Sequence, residues 1–324
     1  MSVDEFLAEW RNESPYARVK TSGSTGAPKQ MLVEKKRMLA SARRTNDFLG
    51  LKPGDTALLC MSLDYIAGKM MVVRALERDL QLMVVEPSGH PMITRSEECV
   101  IDFAAMVPMQ VYNSLQVPEE RERLKLIKHL IIGGGAIDEA MAEELKSFPN
   151  HVWSTYGMTE TLSHIALRRL SGPEASEWYT PFPSVSVSLN EEGCLVIDAP
   201  EVCGERLVTN DIAELVMYTF RILGRKDNVI CSGGIKIQAE EVERLLRPHL
   251  HEPYLISKRP DQKFGEVVVL LTEGDVETAR MVCEAVLPKY QRPKVYIHVS
   301  EIPLTETKKP ARRQAEKLAL GAND

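Results

Sequence analysis

The chain has 324 residues, of which 44% are hydrophobic, and its formal net charge is −6. This length and composition predict a sizeable buried core in one large domain or two smaller ones. The negative charge argues against a general binder of nucleic acid polymers or membrane surfaces, and no apolar run reaches transmembrane length. Because the N-terminal stretch MSVDEFLAEW is acidic where a signal peptide would be basic, we expect a cytoplasmic protein.

The first half of the chain alternates predicted helices and strands. Apolar residues at helical spacing predict a helix that ends at Gly50, a suitable C-terminal cap. The predicted elements, in order, are a helix at 35–49, a strand at 56–61, a helix at 65–78, a strand at 80–86 and a strand at 129–135. This alternation indicates an α/β domain with a largely parallel sheet.

The pattern changes near residue 180. The stretch SVSVSLNEEGCLVIDA alternates polar and apolar residues around a turn at Glu192 and Gly193, which predicts a small antiparallel β subdomain. From Gly224 onward we expect a turn-rich strand region, a helix at 239–247, a strand at 265–272, a helix at 275–286 and a strand at 294–299. The prediction is therefore an N-terminal domain over 1–223 and a small α+β C-terminal domain over 224–324.

One stretch near the N-terminus, TSGSTGAPK at 21–29, is rich in hydroxyls and glycines. Its ordinary interpretation is a surface loop. Its chemical interpretation is a phosphate cradle, since glycines allow backbone N–H groups to converge on an anion while hydroxyls and a lysine add donors. It is not a P-loop, because Pro28 precedes Lys29 where glycine is required, and Gln30 follows where serine or threonine is required.

Four further segments combine glycines with charged or hydroxyl residues. They are HVWSTYGMTET at 151–161, LVTNDIAEL around Asp211, GRKDNVICSGGIKI at 224–237 and IPLTETKKPARR at 302–313. Taken singly, each has an ordinary interpretation: a strand end with a helix cap at Thr159, a turn, a hairpin and a basic surface tail.

Taken together and in this order, the segments resemble the adenylate-forming superfamily, which includes acyl-CoA synthetases, adenylation domains of peptide synthetases and luciferases. The stretch at 21–29 is similar to that family's T-S-G-S-T-G-x-P-K, and 156–160 to its Y-G-x-T-E. Residues 224–227 are similar to its G-R-x-D. The resemblance extends from residue 18 to 313 and implies an ATP-dependent ligase that forms an acyl-adenylate, with Mg²⁺ and coenzyme A.

The resemblance implies a role for each nucleotide-site residue. The β- and γ-phosphates of ATP are expected at Thr21, Ser22, Gly23, Ser24, Thr25, Gly26 and Lys29. The adenine and ribose are expected at Gly133, Gly134, Gly135, Tyr156, Gly157, Asp211 and Arg225. Thr159 would donate to the α-phosphate, and Glu160 would hold Mg²⁺, a cation that prefers oxygen ligands.

The C-terminal segments imply the catalytic lysine and a moving domain. Lys309 is at the lysine position of the family's P-L-T-x-x-G-K, where it would neutralise charge as a carboxylate attacks the α-phosphorus. Asp227 is at the family's pivot, about which the C-terminal domain rotates after adenylation. The rotation would present the loop of Ser232, Gly233 and Gly234 to the thiol of coenzyme A.

The acid is suggested by a narrower resemblance. The segments HVWSTYGMTETLSHIALR, FAAMVPMQVYNSL and LDYIAGKMMVVRAL resemble o-succinylbenzoate–CoA ligases of menaquinone biosynthesis, in which a V-P-T-Q-like segment is typical. Because that substrate carries a second carboxylate, we expect a cationic or polar contact from Arg74, Ser163 or His164. The alternatives are a solvated helix face for Arg74 and a packing or capping histidine for His164.

Two departures from the family leave alternatives open. Only twenty residues precede the glycine-rich stretch, where most relatives have a long N-terminal region, so we expect either a compact active form or a homodimer that covers exposed apolar surface. Lys308 replaces the glycine before the catalytic lysine and competes for its role. Besides an acid–CoA ligase, the sequence allows an enzyme that loads a carrier protein, and a truncated binding protein without activity.

Overall fold

The computed structural model describes residues 1–20, 30–93, 100–135, 137, 139–305 and 310–321. The chain divides into two compact units. The first unit comprises Met1–Val187, Ile197–Leu207 and Val216–Phe220, and the second comprises Ser188–Val196, Val208–Leu215 and Arg221–Asp324. The division after residue 223 stays a prediction.

The first unit contains helices and strands in alternation. Its helices are α1 (Val3–Arg11), α2 (Lys35–Leu49), α3 (Ile66–Arg78), α4 (Pro108–Leu115), α5 (Pro118–Lys125) and α6 (Glu139–Lys146). Its strands are β1 (Tyr16–Lys20), β2 (Gln30–Glu34), β3 (Thr56–Leu59), β4 (Gln81–Val84), β5 (Ile101–Met106), β6 (Ile127–Ile132), β7 (His151–Gly157), β8 (His164–Arg169) and β9 (Thr180–Pro181). The predicted alternation is therefore present.

A seven-stranded sheet organises the first unit, in the order β4-β3-β5-β6-β7-β8-β9. Strands β4, β3, β5, β6 and β7 run parallel, whereas β7, β8 and β9 pair antiparallel. The parallel strands are short apolar runs because both faces are covered. Leu58, Ala104, Leu130 and Val152 lie in one buried cluster, and Ala57, Phe103 and Ile131 are buried on the opposite face. Ligands of open α/β sheets bind beyond the carboxyl ends of such strands.

The ends of the elements follow local chemistry. Helix α2 ends at Gly50, whose left-handed conformation, with φ of 65°, lets its N–H donate to the carbonyls of Asn46 and Asp47. Strand β6 ends at Ile132 rather than at the predicted residue 135: the N–H of Gly133 still donates to the carbonyl of Met106 at 3.0 Å, but Gly134, with φ of 83°, leaves the extended conformation. The predicted helix at 65–78 begins one residue later, at Ile66.

Four strands, β10 (Ser186–Leu189), β11 (Cys194–Asp198), β12 (Leu207–Val216) and β13 (Thr219–Arg225), form a sheet in that order. Their residues are divided between the two units. The β10–β11 turn contains Gly193 with φ of 79°, and the side chain of Asn190 accepts from the N–H groups of Glu192 and Cys194. The predicted antiparallel subdomain is thus a meander whose first turn depends on glycine.

The rest of the second unit is a small α+β fold. Its strands are β14 (Val229–Ser232), β15 (Ile235–Gln238), β16 (Tyr254–Asp261), β17 (Gly265–Thr272) and β18 (Val295–His298), and its helices are α7 (Ala239–Leu246), α8 (Val276–Val286) and α9 (Arg312–Gly321). Strand β17 pairs with β14 and β16 antiparallel and with β18 parallel. Alternate residues of β17 enter two clusters: Val268 and Leu270 pack with Val242 of α7, and Val269 and Leu271 with Ala315 of α9.

In the part of the chain that the structure describes, no helix is both long enough and apolar enough to cross a bilayer.

Candidate active site

Several predicted site residues lie outside the described ranges. These are the whole stretch from Thr21 to Lys29, together with Lys308 and the proposed catalytic Lys309. Their immediate neighbours are described: Lys20 and Gln30, which flank the glycine-rich stretch, are cross-strand partners in the β1–β2 ladder.

The three glycines after β6 bring bare backbone to the carboxyl edge of the sheet. A Cβ at Gly133 would lie 2.3 Å from Oγ1 of Thr155, closer than any real Cβ contact. Gly134 has φ of 83°, a conformation that side chains rarely adopt. Glycine is therefore required at Gly133 for close packing against Thr155 and at Gly134 for the turn.

Gly157, at the end of β7, permits an equally close backbone crossing. A Cβ there would lie 2.3 Å from the carbonyl oxygen of Ser163 and 2.5 Å from Cα of His164. The backbone between these residues forms a tight turn, in which the hydroxyl of Thr161 accepts from the N–H of Met158 at 3.1 Å and contacts the carbonyl of Ser163 at 2.8 Å. This turn places Ser163 directly beside the end of β7.

Leu162 adopts an unusual conformation within this turn, with φ of 67° and ψ of −35°. A positive φ is uncommon for a residue with a side chain and costs on the order of 1 kcal/mol or more. The leucine side chain is buried, and its N–H donates to the carbonyl of Thr159 at 2.9 Å. Burial of the side chain therefore offsets the backbone strain.

Thr159 and Glu160 occupy the first two positions of a short 3₁₀ helix, Thr159–Thr161, that begins the turn. Met158 precedes this helix as its N-cap, so the predicted cap at Thr159 is displaced by one residue. The carboxylate of Glu160 is exposed and accepts no hydrogen bond from any residue that the structure describes. One accessible carboxylate suits Mg²⁺, which keeps several waters and takes its other ligands from substrate phosphates.

Tyr156 belongs to a group of three aromatic rings. Its ring meets that of Phe220 edge to face, with centroids 5.1 Å apart, and lies 5.8 Å from that of Tyr179. Tyr179 in turn stacks on Phe220 and contacts the hydroxyl of Ser154 through its own hydroxyl at 2.8 Å. Two other rings therefore hold Tyr156 in a fixed orientation.

The segment Val107-Pro108-Met109-Gln110 begins α4. Proline is in the first turn, where its missing N–H costs nothing. Gln110 is buried: its side-chain oxygen accepts from the N–H of Val107, and its amide donates to the carbonyls of Cys60 and Ser88. This glutamine holds together the segments that follow β3 and β5.

Arg74, Ser163 and His164, which the sequence predicted as acyl-site candidates, lie together in the first unit. Arg74 is only 2% exposed, so its alternative interpretation as a solvated helix residue is wrong. Its Nη2 donates to Oγ of Ser163 at 2.6 Å, and Oγ of Ser163 contacts Nδ1 of His164 at 3.2 Å.

This contact continues as a directed chain of hydrogen bonds. The hydroxyl of Thr45 donates to the carbonyl of Ser41 at 3.2 Å, so it is free to accept from Nε2–H of His164 at 3.1 Å. Nδ1 of His164 is then unprotonated and accepts from the hydroxyl of Ser163, whose oxygen accepts from Arg74. Both ring nitrogens of His164 are satisfied in the neutral form, as the alternative of a packing histidine predicts.

The electrostatics of this group agree with a neutral histidine. Burial, together with the charges of Arg74 and Arg44, holds the pKa of His164 well below its ordinary value. Burial also lowers the pKa of Arg74 to about 10. Within the described ranges no carboxylate lies at ion-pair distance from Arg74, and its Nε has no hydrogen-bond partner there. A buried cation without an anion is costly, and sites that bind anions are the usual exception.

In the second unit the structure brings together Asp211, Arg225 and Asp227. Nη1 of Arg225 lies 3.4 Å from Asp211, and its Nη2 donates to Asp227 at 2.9 Å. Burial lowers the pKa of Arg225, but the hydrogen bond to Asp227 and the charge of Asp211 outweigh it, so the pKa is raised. Asp227 also accepts from the amide of Asn210, at 3.3 Å.

The predicted coenzyme A loop is the turn between β14 and β15. Gly233 and Gly234 have φ of 58° and 83°, so both use conformations that favour glycine. Ser232 precedes them as the last residue of β14 and pairs with Gly265 of β17.

Sequence reasoning missed four residues of these groups: Thr45, Arg44, Tyr179 and Phe220. Thr45 and Arg44 are on α2, where their positions resemble those of any amphipathic helix. Tyr179 and Phe220 contact each other through an isolated β-bridge. No local motif marks any of the four.

The family model "AMP-binding enzyme" matches residues 6–211. The chain belongs to the AMP-binding enzyme family. Among members with curated names, a 2-succinylbenzoate–CoA ligase of Salmonella typhimurium is 26% identical over 313 residues, which cover 90% of this chain and 66% of that protein. The chain thus spans about two thirds of the length of that relative.

Two solved structures are similar to this chain. A protein of Dyadobacter fermentans, described as acyl-CoA synthetase (AMP-forming)/AMP-acid ligase II-like, is 33% identical with a TM-score of 0.67, and the match covers 98% of this chain and 93% of that one. The O-succinylbenzoate coenzyme A synthetase of Bacillus subtilis, in complex with ATP and magnesium ion, is 21% identical with a TM-score of 0.76, over 92% of this chain and 69% of that one. The predicted fold class is confirmed, and at the level of the family so is the prediction of an AMP-forming acid–CoA ligase.

Proposed function

We propose that the chain is an ATP-dependent acid–CoA ligase that converts o-succinylbenzoate, ATP and coenzyme A to o-succinylbenzoyl-CoA, AMP and diphosphate. The family supports adenylate formation, and the names of relatives such as the Salmonella typhimurium ligase support the acid and a role in menaquinone biosynthesis. The cytoplasmic location and the homodimer stay predictions.

The observation that carries the choice of acid is the buried Arg74. Its guanidinium has one hydroxyl partner, Ser163, and no described carboxylate partner. A substrate with a second carboxylate would supply the missing anion, and a charge-assisted hydrogen bond to a buried guanidinium is strong. A monocarboxylic aryl acid would leave this cation uncompensated, so the site would discriminate against it.

The neutral state of His164 supports the same assignment. If His164 were protonated, Nδ1 would compete with Arg74 as a donor to Ser163, and a second positive charge would lie beside the first. The bond from Nε2–H to Thr45 fixes the neutral tautomer, so Ser163 remains an acceptor for Arg74. Arg74 is thereby held in one orientation toward the proposed acyl group.

We assign the nucleotide to the residues that the family resemblance implies. Gly133, Gly134 and Gly135 would take the adenine edge with Tyr156 against its face, while Asp211 and Arg225 would bind the ribose. Thr159 would donate to the α-phosphate, and Thr21 to Lys29 would hold the leaving diphosphate. Glu160 would hold Mg²⁺, which neutralises phosphate charge when bound.

Two half-reactions follow from this assignment. First, a substrate carboxylate oxygen bonds to the α-phosphorus while the bond to the β-phosphate oxygen breaks and diphosphate leaves; Lys309 would neutralise the charge on the in-line transition state. Second, the thiol sulfur of coenzyme A bonds to the acyl carbon, AMP leaves, and the thiol proton passes to solvent. Asp227 would be the pivot between these steps. Ser232, Gly233 and Gly234 would face the thiol of coenzyme A in the second.

The test is ATP–diphosphate exchange with a panel of aromatic, keto-diacid and fatty acids, followed by thioester formation with coenzyme A. We expect o-succinylbenzoate to give the fastest exchange and the product to be a coenzyme A thioester. A preference for fatty acids would refute the acid, and transfer to an acyl-carrier protein but not to coenzyme A would refute the acceptor. Absence of exchange with every acid would refute the ligase activity.

A further inference from the structure

A buried lysine on α3 joins three segments of the first unit. Lys69 is only 4% exposed, and its ammonium donates to the carbonyl of Arg18 in β1 at 2.6 Å. The ammonium also lies 3.7 Å from a carboxylate oxygen of Glu9 in α1 and 5.3 Å from the ring centroid of Phe6. A buried ammonium is costly unless it is paired and hydrogen-bonded, and these contacts supply both. We call Glu9 and Lys69 the β1 clamp.

The β1 clamp holds the outer edge of β1. The N–H of Arg18 donates to Oε1 of Glu9 at 2.9 Å, while the carbonyl of Arg18 accepts from Lys69. At the other end of the strand, the hydroxyl of Ser14 accepts from the N–H of Tyr16 at 3.2 Å and donates to its carbonyl at 3.3 Å. Side chains thus occupy the places where a neighbouring strand would bond, and in the described part of the chain only β2 pairs with β1.

Helix α1 presents Glu9 from a fixed position. It begins with a capping box, in which the hydroxyl of Ser2 accepts from the N–H of Glu5 at 3.1 Å and the Glu5 carboxylate accepts from the N–H of Ser2 at 2.7 Å. Phe6 is fully buried, and Glu9, three positions later, lies on the same face of the helix. A capped and anchored helix therefore supplies the carboxylate.

The β1 clamp also connects the two halves of the proposed substrate site. Lys69 precedes Arg74 by five positions on α3, the helix that carries the proposed acyl contact. Arg18 is two residues before the end of β1, and β1 leads directly into the stretch 21–29 that the proposed function assigns to the diphosphate. Lys69 therefore fixes β1 relative to the helix that carries Arg74.

We propose that Glu9 and Lys69 are positioning residues for the triphosphate of ATP. They would set the place of β1 so that the α-phosphorus lies in line with the carboxylate of an acid held at Arg74. Small displacements of reacting groups cost large factors in rate, so this alignment needs a rigid support. Neither residue touches a substrate in this assignment. The inference rests on the proposed function, because it concerns the ATP site of that reaction.

The test compares Lys69→Met, Glu9→Gln and the double variant with Lys52→Met, which changes an exposed lysine of the same unit. Methionine keeps an apolar side chain beside Phe6 but cannot donate to Arg18. Glutamine keeps an oxygen for the N–H of Arg18 but loses the charge. Each single variant leaves one charge without its partner, whereas the double variant removes both charges.

Four properties of the full chain are measured for each variant. They are the midpoint of thermal unfolding, the Kd for ATP by titration calorimetry without acid, the KM for ATP and for the acid in ATP–diphosphate exchange, and hydrogen exchange of peptides that cover β1 and β2. Calorimetry and hydrogen exchange need no turnover, so they report on the β1 clamp independently of catalysis.

We expect Lys69→Met to raise the Kd and KM for ATP about tenfold, with the KM for the acid unchanged. The double variant should regain most of the lost thermal stability but keep the raised KM for ATP, because the carbonyl of Arg18 still lacks its donor. Hydrogen exchange should be faster in β1 and β2 but not in the rest of the first unit. Lys52→Met should behave as the unchanged chain.

Three outcomes would overturn the role of the β1 clamp. They are an unchanged KM for ATP in Lys69→Met, recovery of both stability and the KM for ATP in the double variant, and faster hydrogen exchange throughout the first unit. The failure of the proposed function looks different. In that case the unchanged chain itself would bind no ATP and would give no exchange with any acid.

Discussion

The guanidinium of Arg74 donates to the hydroxyl of Ser163 across 2.6 Å, although the two residues are 89 positions apart. The bond joins the buried side of α3 to the tight turn that follows β7. It is part of a chain of donors that ends at the carbonyl of Ser41 on α2. Hydrogen-bonded side chains of α2, α3 and the turn therefore form one buried polar group.

Replacing Arg74 with methionine should remove discrimination for the second carboxylate. We expect the KM for o-succinylbenzoate to rise about 30-fold or more, as when one partner of a buried charge pair is lost, while the KM for benzoate stays the same. The midpoint of thermal unfolding should not fall, because the substitution removes a buried cation without a described anion. Arg78→Met on the same helix is the control, and equal losses for both acids would contradict the assignment.

Replacing Gly133 with alanine should destabilise the first unit and weaken ATP binding. The new Cβ would lie 2.3 Å from Oγ1 of Thr155, so the Thr155 side chain or the backbone at Gly133 must move. The double variant Gly133→Ala/Thr155→Ala removes that oxygen, and we expect it to regain most of the lost thermal stability. Its KM for ATP should remain high because the methyl group still covers the backbone; recovery of both properties would argue against adenine at Gly133.

Low pH should lower the free energy of unfolding of the first unit, because His129 is buried there. The ring of His129 stacks on that of His151, with centroids 5.0 Å apart. Burial is the main reason that the pKa of His129 is lowered to about 4; the positive charges of His151, Lys128 and Arg169 lower it further, and Asp102 opposes them. Because the folded pKa lies below the unfolded value near 6.5, the stabilisation is complete above pH 6.5 and is lost as pH falls toward 4. The difference between the folded and unfolded pKa of His129 corresponds to at most about 3 kcal/mol in the free energy of unfolding.

The measurement is urea unfolding at several pH values, followed by tryptophan fluorescence. All three tryptophans, Trp10, Trp153 and Trp178, belong to the first unit, so the signal reports that unit. In His129→Gln the free energy of unfolding should decline less between pH 6.5 and pH 4, whereas the exposed control His298→Gln should follow the unchanged chain. An identical decline in all three proteins would contradict the role of His129.

Lys309 and its neighbour Lys308 offer a matched pair of substitutions. We expect Lys309→Ala to slow ATP–diphosphate exchange by about 10²-fold or more, judged by the loss of single electrostatic donors in other enzymes. Thioester formation from preformed acyl-adenylate should change far less. Lys308→Ala should leave exchange within a few-fold; the reverse ranking would show that Lys308 is the catalytic lysine.

Proline at position 227 should hurt the second half-reaction selectively. Asp227 is the middle residue of the 3₁₀ turn Lys226–Asn228, and its carboxylate accepts from Arg225 and Asn210. Asp227→Ala removes the same contacts but leaves φ free, so it is the control for the fixed φ of proline. We expect about tenfold slower thioester formation in Asp227→Pro than in Asp227→Ala, with equal exchange rates; equal thioester rates would count against a pivot here.

Local signals predicted the elements best. Gly50 marked the end of α2, and the continuous apolar run in GEVVVLLT marked β17 at its observed bounds, because both features depend on neighbours in sequence. The bounds of β6 were less accurate: the prediction extended to residue 135, but Gly134, with φ of 83°, leaves the extended conformation.

The acyl-site group shows what a sequence cannot reveal by spacing alone. Helical periodicity put Arg74 on α3 but could not show that a charge faces the interior. The contact between Thr45 and His164 joins residues 119 positions apart, and it exists only because α2 packs beside the turn after β7. The sequence resemblance identified Arg74, Ser163 and His164 as candidates, but their hydrogen-bond partners and protonation states follow from tertiary packing.

The positive φ of Leu162 also limits how this turn can change. A glycine there would relax the backbone but would remove a buried apolar side chain. β-Branched residues would meet greater steric resistance at the same angle, because they carry two heavy atoms on Cβ. Leucine is therefore a compromise between low backbone strain and side-chain packing. Substitutions of Leu162 that raise thermal stability should lower the selectivity for the acid.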